Sequence, residues 1–143
     1  MTTANTSTTP AMQKLLIAAA LAGGVGSIIN LIIFFAMPAI LNVSLKIPLM
    51  GPGSELVDLP FFMVVMASIL PAFGGAGIFW GLSKFTGQPV WIFRIIAVIF
   101  GAFSLIMPFS MGIGTTQAII LDLMHIVVAV SVTYFITTQG QSS

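Results

Sequence analysis

Cysteine is absent from this chain of 143 residues, and charge nearly so, with only 5% of positions occupied by Asp, Glu, Lys or Arg. The missing thiols exclude disulfides, thiolate metal sites, iron–sulfur clusters and covalently attached c-type haem. An ordinary soluble domain carries roughly 25% charged residues, so the shortage of charge excludes that class as well. A net charge of +1 from four scattered basic residues offers no footprint for nucleic acid. A single histidine rules out bis-histidine haem within one chain. Hydrophobic residues fill the gap: they make up 58% of the chain, and the mean hydropathy is +1.17. This is the composition of an integral membrane protein, long enough for about four spans of roughly 20 residues joined by short connections. The fold class it predicts is all-α, a four-helix transmembrane bundle that contacts the lipid bilayer.

Residues 1–14 form a Thr/Asn/Ser-rich stretch without apolar periodicity and without the basic region or Ala-x-Ala site of a cleaved signal peptide; the expectation is a disordered N-terminal tail. Residues 15–137 are read as one transmembrane domain, with helices over about 15–37, 61–82, 90–111 and 116–136, followed by a polar C-terminal tail over 138–143. The first helix carries two ladders of small residues, Ala18/Ala22/Gly26 leading to Asn30 and Ala19/Gly23/Ser27. Such spacing lets a neighbouring backbone approach closely, while Ile28, Ile32 and Phe35 are placed for lipid. The connection over 38–59 is rich in Pro and Gly yet holds several large apolar residues, which suits a segment lying along the membrane interface. Asp58 ahead of Pro60 reads as the N-cap region of the second helix. In that helix Pro71 removes a backbone donor, and Gly74, Gly75, Gly77 and Gly81 give a second small face. An N-terminus on the cytoplasmic side would put Lys14, Lys84 and Arg94 inside and only Lys46 outside. Trp80, Trp91 and Tyr134 would then lie at the cytoplasmic interface. The expected location is a bacterial inner membrane with both termini cytoplasmic.

The stretch Leu121-Asp122-Leu123-Met124-His125 places the only histidine and one of three acidic residues inside an apolar run. Counting 1.5 Å per residue from the cytoplasmic ends puts Asn30 and Asp122 roughly 22 Å deep, and Ser27, Ser68, Ser104 and His125 at roughly 18 to 21 Å. All four helices thus contribute to one polar layer, with Asn30 to Asp122 and Ser27 to His125 as the natural pairs. Three readings follow. The layer can be structural, a hydrogen-bond network that fixes helix register. Asp122 and His125 can belong to a proton-linked transport path or channel, since carboxylate and imidazole relays in membranes mark such paths. His125 can also be an axial ligand to haem or to a chlorophyll-type pigment, making it the candidate cofactor-binding residue. No metal cluster is expected. Ser104 or Ser131 with one His and one membrane Asp assembles no nucleophile, base and orienter, so no enzymatic activity and no catalytic residue are expected.

The order of Asn30, Pro71, Arg94, Ser104, Pro108, Leu123-Met124-His125 and Ala129 resembles a family of small bacterial four-helix membrane proteins of unknown function, over roughly residues 15–129. The resemblance implies the four-helix architecture and brings no activity. The function expected from the sequence is a non-enzymatic structural or accessory subunit of a larger membrane assembly, its partners being other membrane subunits or further copies of itself.

Overall fold

A computed structural model describes residues 12–139. Most of the expected N-terminal tail and residues 140–143 of the C-terminal tail lie outside the described residues. Four helices alternate in direction: α1 (Met12–Leu41), α2 (Phe61–Phe85), α3 (Pro89–Ser110) and α4 (Thr115–Gln139). Each is long and apolar enough to cross a bilayer, and their exposed apolar side chains face lipid; the chain is an integral membrane protein.

The small ladders of α1 explain how the bundle closes. Ala18, Ala19, Ala22, Gly23, Gly26, Ser27 and Asn30 are all buried, against α2 on one side and α4 on the other. A Cβ added at Gly23 would lie 3.2 Å from the Ile69 backbone, so the two helices approach as closely as a missing side chain permits. Ile28, Ile32 and Phe35 point outward, each more than 60% exposed. α3 is the outlier. Only 6% of its most apolar stretch is buried, against 39% for α1. It packs chiefly on α4, where Gly101 faces Ala129, and it meets α2 far less. Its one large buried side chain, Phe93, stands edge-on to Phe79 of α2 with ring centroids 5.5 Å apart, a favourable aromatic geometry. That contact ties α3 to α2 near their short connection.

The core is divided along the membrane normal. Leu15, Ala22, Ala76, Phe79, Phe93 and Ile136 belong to one apolar cluster near the end that holds Met12 and Gln139. Leu45, Val64, Ile120, Leu121 and Met124 form a second cluster near the opposite end. Ser27, Asn30, Ser68 and Ser131, all buried, fall between the two along their helices.

The long first connection contains structure that the sequence reading did not anticipate. α1 continues through Pro38 to Leu41, and Asn42 with its φ of 53°, together with the Val43 N–H donating to the Pro38 carbonyl (3.1 Å), forms a left-handed helix stop. An antiparallel hairpin follows, β1 (Lys46–Pro48) and β2 (Leu56–Asp58), with Lys46 opposite Asp58 and Ile47 opposite Val57. Gly51 and Gly53 turn it with positive φ. Leu45 and Ile47 pack on the second core cluster, so the hairpin seals that end of the bundle. Asp58 is therefore a strand residue and not a helix cap: Pro60 occupies the N-cap position of α2 without any side-chain hydrogen bond.

Candidate functional site

Asn30 is the centre of the polar layer. It is 2% exposed, and its amide Nδ2 donates to Ser68 Oγ on α2 (3.1 Å) and to the Met124 carbonyl on α4 (3.2 Å). One side chain thereby joins three helices. Ser68 Oγ donates in turn to the Val64 carbonyl (3.0 Å). The orientation of the amide follows from these partners, since a backbone carbonyl accepts only and the Ser68 hydroxyl hydrogen is already engaged. Asn30 Oδ1 is left buried without a partner, as is Ser27 Oγ.

The remaining polar residues do not join this centre. The expected pairs, Asn30 with Asp122 and Ser27 with His125, are not formed. On α4 the positions that face α1 and the core are Leu121, Met124, Ser131 and Val132. Asp122 and His125 share a different face, rotated by about 100° per residue from Leu121 and Met124. That face also carries Ala129, against which α3 packs. Asp122 is half-buried and its Oδ1 has no hydrogen-bond partner. Ser104 is half-buried on α3 and donates to the Gly101 carbonyl of its own helix (2.7 Å). Ser131 escaped the depth count and yet is buried beside Gly26, with Oγ 3.9 Å from the position a Cβ would take there. Its i, i+7 relation to Met124 was the available signal.

His125 stands at the wall of a cleft. Because α3 leans on α4 and away from α2, a space of about 650 Å³ opens between α2 and α3 with α4 as its floor. Met63, Ala67, Leu70 and Pro71 line it from α2, Phe100, Gly101 and Ser104 from α3, and His125 and Ala129 from α4. Asn30 reaches it from behind, and Ile47 of the hairpin and Leu59 close one end. His125 lies about 15 Å from one end of α4 and about 21 Å from the other, near the middle of the membrane. Its Nδ1 is 2.7 Å from the Leu121 carbonyl. A carbonyl cannot donate, so Nδ1 carries the hydrogen, and in the uncharged form of the ring Nε2 is the acceptor.

Among the described residues, no group of three or more His, Asp, Glu or Cys side chains could hold a metal ion. The chain ends separate by charge. Lys14, Lys84 and Arg94 lie towards the end where Met12, Phe85 and Gln139 meet, and the Lys84 ammonium sits 3.4 Å from the centre of the Trp80 ring, a cation–π contact. The hairpin at the other end carries Lys46, Glu55 and Asp58. Glycines separate as well. Gly75 lies inside, its added Cβ 2.9 Å from Val132 Cγ1, whereas Gly74, Gly77 and Gly81 meet nothing within 4 Å among the described residues.

Residues 10–142 match a family described as a family of unknown function (DUF6069). No curated protein and no solved structure matches the chain.

Proposed function

The chain belongs to the DUF6069 family, and we propose that it is a non-enzymatic accessory subunit whose α2 packs against a helix of another membrane protein or of a second copy. The observation that carries this reading is the position of Gly77-Ile78-Phe79-Trp80-Gly81. Its two glycines, with Gly74 one turn earlier, form a flat strip with no neighbour within 4 Å among the described residues. The inward glycines Gly23 and Gly75 are filled by α2 and α4 side chains or backbone, so the same device is used once within the bundle and stands ready a second time on its surface. Backbone-close packing is the main source of helix association where lipid is as apolar as the helices. Cross-linking in native membranes, followed by counting of subunits in lipid nanodiscs, tests it. Gly77→Leu should abolish the larger species, while Ile32→Leu on the lipid face should leave it intact. An unchanged assembly state in Gly77→Leu would remove the proposal.

Both termini on the cytoplasmic side of a bacterial inner membrane is the topology that goes with it, supported by the three basic residues and three interfacial aromatics at one end. The chain has no native cysteine, so single cysteines at Ser54 and Gly87 report cleanly; they should be labelled from opposite sides, the latter from the cytoplasm. The haem or pigment reading of His125 competes with this proposal, and the absorbance of the purified protein decides it. A Soret or far-red band would replace the accessory role with a cofactor-carrying one.

A further inference from the structure

We infer that the cleft between α2, α3 and α4 is a binding site for a lipid-soluble molecule bearing a hydroxyl, of the phenol or hydroquinone type, which donates its hydrogen to His125 Nε2. This rests on the cleft and not on the outer face of α2, so it stands or falls independently of the accessory role.

Thr133 lines the cleft two turns along α4 from His125, and the polar side chains nearer its middle, His125, Ser104 and Asn30, share one property: their hydrogens are engaged elsewhere. Nδ1–H of His125 goes to Leu121, the Ser104 hydroxyl to Gly101, and both hydrogens of the Asn30 amide to Ser68 and Met124. What remains is a pair of acceptors at the cleft, Nε2 of His125 and Oγ of Ser104, with the unpartnered Oδ1 of Asn30 enclosed within the bundle. Acceptors without donors in hydrocarbon are costly. Acyl chains of lipid cannot satisfy them, because they carry no hydrogen-bond donor. A quinone or ketone presents further acceptors and gains nothing from them. A molecule with an O–H does, and the otherwise apolar walls formed by Met63, Ala67, Phe100 and Ala129 accommodate its ring or chain. The opening between α2 and α3 admits it from the bilayer, since α3 packs chiefly on α4 and meets α2 far less, with Phe93 against Phe79 near their shared end.

The protein has a single histidine, so imidazole nitrogen NMR of the labelled chain in nanodiscs gives one pair of signals. Before ligand is added, Nδ1 should be protonated and Nε2 bare. Para-nonylphenol should shift the Nε2 signal while its methyl ether, of nearly the same shape, does not. Partition between protein-containing and empty nanodiscs should favour the phenol over the ether by about fivefold to tenfold, the worth of one hydrogen bond. His125→Phe should erase that preference, and Ala67→Trp, which fills the cleft from an exposed position, should erase binding of both. Equal partition of phenol and ether in the native chain, an Nε2 that is already protonated, or a Soret or far-red band showing Nε2 bound to a porphyrin-type metal would each overturn the inference.

Discussion

At the scale of single residues, the contrast between Asn30 and Asp122 is the informative one. Both are polar, both lie within apolar helices, and only Asn30 is bonded across the bundle. Asn30→Leu removes two hydrogen bonds and places a bulkier group between α2 and α4. It should destabilise the detergent-solubilised protein by about 1–3 kcal/mol, read as a lowered thermal midpoint. Asp122→Leu severs no hydrogen bond among the described residues and should leave that midpoint unchanged or raise it. A marked fall for Asp122→Leu would contradict this and show that its carboxyl has a stabilising partner. His125 differs from both, since its contribution is a lone pair held in one direction by the Leu121 carbonyl and not a contact across helices.

Among the elements, α1 and α2 owe their closeness to glycine and alanine, and the spacing of those residues decides which substitutions the bundle tolerates. An added methyl at Gly26 would meet Ser68 and Ser131 at 3.7 and 3.9 Å, ordinary contact distances, whereas at Gly75 it would press into Val132 at 2.9 Å and Ile136 at 3.1 Å. Gly26→Ala should therefore be neutral or slightly stabilising. Gly75→Ala should cost about 1–3 kcal/mol through overpacking. Comparison of the two thermal midpoints checks this, and equal effects would contradict the interior placement of Gly75. The hairpin was the element least visible in advance. Three-residue strands give almost no alternation to read, and the prolines and glycines that mark turns also mark irregular loops.

Over the whole molecule, three helices form a tight unit and the fourth is attached at one side. α1 buries its small face against α2 and α4, while α3 relies on α4 and on the Phe79–Phe93 contact. Phe93→Ala should free α3 from α2 without dissolving the other three helices. Spin labels at Ala67 and Phe100, on the two walls of the cleft, should then show a broader and longer distance distribution by pulsed electron resonance, with helical content preserved. An unaltered distribution would mean that α4 alone positions α3.

The all-α class, the number of spans, the buried ladders of α1 and the outward Ile28, Ile32 and Phe35 followed from the sequence alone, because hydropathy and a period of 3.6 residues are local properties of a chain in lipid. Depth was legible for the same reason: 1.5 Å per residue puts Asn30, Ser68 and His125 at similar heights whatever their neighbours. Rotation was not. Which way α4 turns about its axis depends on where Leu121, Met124 and Val132 find packing, and that is settled only when all helices meet. Tertiary packing accordingly gave Asn30 to Ser68 and the Met124 carbonyl, turned Asp122 and His125 towards the α3 side, and left Ser131 inside. It also decided the cleft, since a space between α2 and α3 is the consequence of how two helices lean on a third, a relation that no single stretch of sequence contains.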